Sequence, residues 1–140
     1  MMADVPDGFE LMPPFGPSHE LVGPIHFKSS GTGWIIGMRV AVRHHNRGPM
    51  IHGGMMAFLI DTAFTYVCMR LRDPALKGSV TTQLSVDFVG SATAGDWIEV
   101  HVDPVRIGRR VAFLSGMVFK GTERIARASA LFQMITQDPA

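Results

Sequence analysis

The residues of this chain that could do chemistry lie at and beyond Gly53-Gly54, where a long apolar run begins. Consecutive glycines cost a helix interior up to about 1 kcal/mol each relative to alanine, so helix stability does not explain them. A helix start exposes unpaired backbone N–H groups and the positive end of the macrodipole, and glycine lets a ligand oxygen reach those donors. The glycine pair therefore indicates an oxyanion site.

Asp61 is the only charged side chain between Gly53 and Met69. On a helical wheel, four small residues fall within about 40° of it: Gly54, Ala57, Thr65 and Cys68. Such a stripe lets another helix or chain come close, with Asp61 capping or pairing with a basic residue. The alternative is a reactive acid in a shallow slot. The helix pattern alone leaves both interpretations open.

The surrounding pattern predicts an α+β domain. Residues 34–42 alternate with a period of two, which predicts a strand, and a polar segment from His44 to Ile51 leads into a helix over Gly53–Leu71. Four further alternating segments predict an antiparallel meander: 80–88, 97–106, 110–120 and 123–135. Gly108 and Gly121 stand at tight turns that favour positive φ. We expect one long central helix wrapped by a sheet of five to six strands.

Residues 1–33 are rich in proline and glycine and show little periodicity, so we interpret them as an N-terminal arm that packs on a domain spanning 34–140. Thirteen Lys and Arg against 12 Asp and Glu give a net charge of +1, with no block of like charge. Nucleic acid is therefore not an expected partner.

The single cysteine, Cys68, excludes an internal disulfide and is typical of a reduced, cytoplasmic protein. Residues 53–69 would span only about 25 Å as a helix, and a central carboxylate costs about 3 kcal/mol in a bilayer, so we expect a buried helix and no membrane contact. His44, His45 and His52 have no Cys or carboxylate at a matching short spacing, so no metal site is expected.

One spacing is specific: Asn46, five residues, His52-Gly53-Gly54, six residues, then Asp61. It resembles the signature of hotdog-fold acyl-CoA thioesterases, of the phenylacetate-degradation type and its mammalian acyl-CoA thioesterase relatives. The resemblance covers roughly residues 34–135. It implies that the Gly53 N–H polarises the thioester carbonyl, that Asn46 assists at that oxygen or at the sulfur side, and that His52 orients Asn46 and the loop.

The same resemblance implies that Asp61 acts as a general base on water or as a nucleophile, and that the Thr81 hydroxyl helps to hold the water. Gly54 is expected to contribute to substrate binding at the helix start. The segment from Arg106 to Arg110 resembles an Arg-x-Gly-Arg turn of these enzymes, so Arg106, Arg109 and Arg110 are expected to bind the phosphates of coenzyme A. Solvated hairpin charges explain these arginines equally well.

The implied activity is hydrolysis of an acyl- or aryl-CoA thioester to the free acid and coenzyme A. Coenzyme A enters as part of the substrate, and no other cofactor is expected. In the family the sites lie at a dimer interface, so a homodimer, paired into a homotetramer, is expected. Two alternatives stay open: a non-catalytic acyl-CoA-binding hotdog module, and a hotdog enoyl-CoA hydratase or dehydratase. The sequence leaves the acyl group undefined.

Overall fold

Alternating apolar and polar side chains build one antiparallel sheet in the computed structural model, which describes residues 4–31 and 33–136. The seven strands are β1 (Glu10–Leu11), β2 (His26–Ser30), β3 (Gly33–Arg39), β4 (Gly78–Phe88), β5 (Trp97–Ile107), β6 (Val111–Lys120) and β7 (Glu123–Ile135). Their order across the sheet is β1-β2-β3-β5-β6-β7-β4. The last strand of the order, β4, therefore forms a free edge within the described chain.

The long apolar run forms a helix, which we number α2 because a short helix precedes it. It begins at Gly53 and ends at Leu71, the bounds that the sequence predicts. It packs against β3 to β7, and Leu59, Ile60 and Phe64 are fully buried. By length and composition α2 could also cross a membrane, but half of that stretch is buried inside the protein. Here α2 is the core helix that the sheet surrounds.

The N-terminal segment raises the strand count to seven, above the five to six predicted. It contributes β1, the short helix α1 (Pro17–Val22) and β2, which pairs in register with β3. The two residues of β1 are too few for alternation to reveal them, and β2 has a single apolar residue, Phe27, so it shows no alternation. Met12 and Ile25 of this segment are 1% and 0% exposed, and the Met12 N–H donates to the Ile25 carbonyl at 2.9 Å. The segment thus contributes side chains to the main core.

Two local details differ from the sequence pattern. The strand predicted for residues 34–42 ends at Arg39, because the chain turns into a 3-10 helix, Val42–His44, before the polar loop. Gly121 has the expected positive φ of 60°, but Gly108 does not. A Cβ on Gly108 would lie 2.7 Å from the Val111 carbonyl oxygen. Close backbone approach, rather than left-handed backbone, explains that glycine.

Candidate active site

His52 caps the start of α2. The ring Nδ1 of His52 accepts a hydrogen bond of 2.8 Å from the Gly54 N–H. The backbone N–H of His52 donates to the His44 carbonyl at 2.8 Å. The N–H groups of Met55 and Met56 both donate to the His52 carbonyl. Within the described part of the chain, the Gly53 N–H is left with no acceptor. The helix start therefore presents one free donor, and that donor belongs to Gly53.

The two glycines have different surroundings. A Cβ on Gly54 would lie 3.0 Å from two atoms of the His52 ring, so glycine here makes room for the cap. A Cβ on Gly53 would meet only the Phe88 ring, at 3.5 Å, which is an ordinary contact. Packing therefore accounts for Gly54, whereas it does not account for Gly53.

Asn46 begins the loop before the helix and is exposed. Its Oδ1 accepts from the Gly48 N–H at 2.8 Å, and its backbone N–H donates to the Met50 carbonyl at 2.7 Å. Because the amide oxygen is bound inside the loop, the side-chain NH2 group is the part left to donate outward. No hydrogen bond between described atoms joins Asn46 to His52, so His52 acts on the loop through the backbone.

Residues that sequence reasoning missed hold this loop against the segment before β5. The Ile51 N–H donates to the Ala92 carbonyl at 2.8 Å, and the Thr93 hydroxyl donates to the Pro49 carbonyl at 2.5 Å. The His45 Nε2 accepts from the Ala94 N–H at 2.9 Å. These contacts join segments more than forty residues apart, so no local sequence pattern predicts them.

Asp61 is half-buried on α2, and the Thr81 hydroxyl donates to its Oδ1 at 2.8 Å. A bulge in β4 makes this contact possible: Thr81 pairs with Phe132 and Gln83 with Leu131, so Thr82 is the extra residue. On either side of the bulge, Thr81 and Leu84 both face α2. One carboxylate oxygen is thus held by a hydroxyl, and the other has no described hydrogen-bond partner.

The part of the predicted small-residue stripe from Asp61 to Cys68 lies against the beginning of β4. Thr65 and Ala57 are half-buried beside Asp61, whereas Cys68 is fully buried. Burial raises the pKa of the Cys68 thiol, and a hydrogen bond with the Ser79 side chain and the charge of Arg72 oppose that shift only in part. The thiol stays protonated at neutral pH and is no nucleophile. Across residues 4–31 and 33–136, no three His, Cys, Asp or Glu side chains form a group that could hold a metal.

Within one chain, the donor and the acid are too far apart to act on one carbonyl group. Gly53 and Asp61 are eight residues apart on α2, which corresponds to about 12 Å along the helix axis. A nucleophile and an oxyanion donor each need to lie about 3 Å from the reacting group. A single copy of this chain therefore holds the two halves of a site at separate places.

The predicted phosphate-binding arginines lie at the other end of α2 from Gly53. The Arg109 Nε is 3.6 Å from the Asp73 carboxylate, which follows the end of the helix, and the Arg110 carbonyl accepts from the Met134 N–H. Arg106, Arg109 and Arg110 are all exposed. In one copy of the chain they therefore lie at the opposite end of α2 from Asn46 and Gly53, and at the same end of the sheet as the start of β4.

Comparisons with known proteins agree on the class of protein that this helix and sheet define. The thioesterase superfamily model matches residues 48–126. An inferred esterase of Pseudomonas aeruginosa is 33% identical over 95% of this chain and 99% of its own length. The PaaI protein of the E. coli phenylacetic acid degradation operon has a TM-score of 0.73 at 21% identity, over 84% of this chain and 83% of that one.

A hypothetical thioesterase protein of Streptococcus pneumoniae, whose crystal structure contains coenzyme A, has a TM-score of 0.71 at 17% identity. The match covers 94% of this chain and 98% of that one. The fold is the hotdog fold of these thioesterases, as predicted. The chain belongs to the thioesterase superfamily.

Proposed function

We propose that this protein is an acyl-CoA thioesterase that hydrolyses acyl- or aryl-CoA to the free acid and coenzyme A. The observation that carries the proposal is the free Gly53 N–H at the start of α2, beside a Gly54 N–H that His52 already occupies. One oxyanion donor of this kind is typically worth about 3 kcal/mol of transition-state stabilisation. Superfamily membership supports the same reaction class.

In this mechanism the thioester oxygen accepts from the Gly53 N–H, and the free NH2 group of Asn46 adds a second donor at the oxygen or at the sulfur. Asp61 attacks the carbonyl carbon itself or removes a proton from the attacking water. The Thr81 hydroxyl, 2.8 Å from one oxygen of Asp61, fixes the rotamer of the carboxylate and helps to position the water. Coenzyme A leaves as the thiol, and no cofactor is needed.

The distance between Gly53 and Asp61 leads us to propose that the working site forms between two copies. The edge strand β4 runs for 11 residues with β7 as its only described partner, and Val80 and Phe88 are 52% and 50% exposed. An open edge of this length is a ready template for another strand. Antiparallel pairing of two β4 strands would bring the Thr81 end of one copy toward the Phe88 end of the other, where Gly53 lies.

The same pairing supports the arginine turn as a phosphate site. Arg106, Arg109 and Arg110 lie at the end of the sheet where β4 begins, so a second copy would carry its own turn toward the first copy's Gly53. Val105 and Phe113 on the outer face are 61% and 45% exposed, which supports a further contact between dimers and hence a homotetramer. We propose that the protein is cytoplasmic, as the single cysteine predicts.

Release of free thiol from phenylacetyl-, benzoyl-, hexanoyl- and palmitoyl-CoA tests the proposal. We expect wild-type protein to hydrolyse at least one of these thioesters, and Asp61→Asn to lower kcat at least 100-fold, the lower range for loss of a general base. Asp61→Asn should retain the wild-type circular dichroism and sedimentation coefficient. Binding of the thioesters with no thiol release by either protein would instead identify a non-catalytic acyl-CoA-binding module. Consumption of an enoyl-CoA without thiol release would identify a hydratase.

A further inference from the structure

A cavity lies away from the candidate active site, on the side of the N-terminal segment. It has a volume of about 430 Å³, within the range of small-molecule sites, and the N-terminal segment forms one of its walls with Val5 and Leu11. Arg39 and Trp97 line its floor. Their chain neighbours Met38 and Ile98 fill the core beneath α2, so the cavity is on the opposite face of the sheet.

The floor of this cavity is aromatic. Trp97 lies across Gly37, where any Cβ would overlap the indole ring. The Phe9 ring meets the indole edge-on with centroids 5.1 Å apart, and the His26 ring lies 5.7 Å away. Trp97, His26, Pro24 and Leu11 line the cavity, and the Phe9 ring packs against the indole.

Two guanidinium groups face the same cavity. Arg39 donates to the carbonyls of Gly95 and Asp4, and its Cζ lies 5.2 Å from the Trp97 ring centroid. The Arg43 Nε donates to the Val22 carbonyl at 3.0 Å. Neither arginine forms an ion pair with a carboxylate in the part of the chain that the structure describes. Each guanidinium has five N–H donors, so several on each remain available.

The charge inside the cavity favours an anion. Among the lining residues two arginines face one carboxylate, that of Asp4, which leaves a net positive charge. The Glu99 carboxylate, which accepts from Trp97 Nε1 at 2.9 Å, lies beside the indole but outside the lining. Burial lowers the pKa of His26, so its ring is neutral at neutral pH. The His26 Nδ1 is also buried with no hydrogen-bond partner among the described atoms, which leaves one unsatisfied polar group in the cavity wall.

We propose that this cavity binds a small amphipathic carboxylate, with its apolar body on Trp97 and its carboxylate on Arg39 and Arg43. An apolar pocket with a few convergent polar groups is the usual form of a small-molecule binding site. Guanidinium groups bind carboxylates through paired, charge-assisted hydrogen bonds, which gives the site its preference for an acid over a neutral analogue. This inference does not rest on thioester hydrolysis.

Trp97 fluorescence measures this binding directly. The chain has two tryptophans, so Trp34→Phe leaves Trp97 as the only indole reporter. Octanoate is the probe, and 1-octanol is its uncharged match. We expect a saturable change of Trp97 emission with octanoate and a midpoint at least tenfold higher with octanol, because a hydrogen bond to a charged group typically contributes a factor of ten or more.

Four variants in this background test the assignment. Arg39→Gln and Arg43→Gln should each raise the octanoate midpoint about tenfold or more, and Ala41→Leu, which fills the cavity, should remove the response. Arg124→Gln, which loses the same charge at an exposed position elsewhere, should leave the midpoint unchanged. Asp61→Asn should leave the octanoate midpoint unchanged, whereas removing this carboxylate would lower the midpoint for an anion bound in the candidate active site. Unfolding temperatures identify any variant that fails to fold.

Equal midpoints for octanoate and octanol would overturn the proposal, because they would show apolar partitioning alone. An unchanged midpoint in Ala41→Leu, or a shifted midpoint in Asp61→Asn, would place the ligand elsewhere. The absence of any saturable Trp97 signal would also overturn it. All these outcomes can be interpreted even if the wild-type protein hydrolyses no thioester.

Discussion

Adjacent glycines at the start of α2 have separable roles. The Gly54 N–H is capped by the His52 ring, and a methyl group on Gly54 would press on that ring at 3.0 Å. The Gly53 N–H has no acceptor among the residues that the structure describes, and a methyl group there would meet Phe88 at an ordinary distance. Neither glycine has a positive φ, so backbone strain does not distinguish them. One glycine serves the helix cap, and the other leaves a donor accessible.

Gly53→Ala is therefore expected to leave the free energy of unfolding unchanged or to raise it by up to about 1 kcal/mol, because alanine favours helix. Thioester hydrolysis should fall at least tenfold, since the added methyl group stands beside the oxyanion donor. Gly54→Ala is the matched control: the disturbed cap costs about 1 kcal/mol and offsets the gain in helix propensity, so the free energy of unfolding should not rise as it does in Gly53→Ala. Urea unfolding and thiol release on the same samples measure both effects. A Gly53→Ala protein with full activity would contradict the assignment of Gly53.

Thr81 is expected to act through Asp61 rather than on the substrate. Thr81→Val keeps the shape and removes the hydroxyl that donates to Asp61 at 2.8 Å, so kcat should fall about tenfold while KM changes little. Thr81→Ser restores the donor and should recover most of the rate. Thr82→Val, at the adjacent bulge residue, is the control, because its hydroxyl donates to the Leu131 carbonyl instead. Equal losses in Thr81→Val and Thr81→Ser would show a packing role only.

At the scale of elements, the edge strand β4 determines whether the proposed site can form. Val80→Lys puts a charge on an exposed edge position and is expected to weaken dimerisation at least tenfold, because edge lysines oppose strand pairing. Activity should fall at low protein concentration and return as the concentration rises. Sedimentation velocity and thiol release across a dilution series measure this coupling. Val42→Lys changes an exposed valine outside β4 and should preserve both properties.

The elements near the site differ in how far the sequence predicts them. The apolar run without proline and the two leading glycines predict α2 to the residue, and an alternating run predicts β7 to the residue. The bulge at Thr82 is not predictable in this way. Strict alternation backwards from Leu84 puts Thr82, rather than Thr81, on the face toward α2. Only the pairing with β7 decides where the extra residue is accommodated.

For the site itself, the sequence predicts residue identities but not their grouping. The spacing from Asn46 to Asp61 identifies candidates because it resembles a family signature. His45 and Thr93 anchor the loop through long-range contacts, and no sequence signature identifies them. The free N–H of Gly53 is visible only once the His52 ring is seen to occupy its neighbour.

At the scale of the whole molecule, one buried histidine links the N-terminal segment to the candidate site. The His44 Nδ1 accepts from the Ala41 N–H at 2.9 Å, so Nε2 carries the proton and donates to the Val22 carbonyl at 2.7 Å. The His44 carbonyl accepts from the His52 N–H. The ring thus holds α1, and the backbone of the same residue holds the cap of α2. The bond that Nδ1 accepts requires the neutral imidazole, whereas the Nε2–H could donate from the neutral or the charged ring.

Stability should therefore fall in mild acid. Burial lowers the pKa of His44, His19 and His26 from the usual value of about 6.5; the Val22 carbonyl partly opposes this at His44, and Glu20 does so at His19. Below pH 6.5 the unfolded chain takes up protons that the folded chain does not. The free energy of unfolding then falls by up to about 1.4 kcal/mol per pH unit for each such histidine. Above pH 7.5 both states are neutral at these histidines and the effect vanishes.

Urea unfolding at pH 7.5, 6.5 and 5.5 measures this slope in a window above the titration of most carboxylates. His26→Phe removes one of the three histidines, and its Nδ1 makes no described hydrogen bond that would be lost. The variant should match or exceed wild-type stability at pH 7.5 and lose less stability than wild type on going to pH 5.5. Wild-type stability that is constant or rises toward pH 5.5 would show that these rings accept protons in the folded protein.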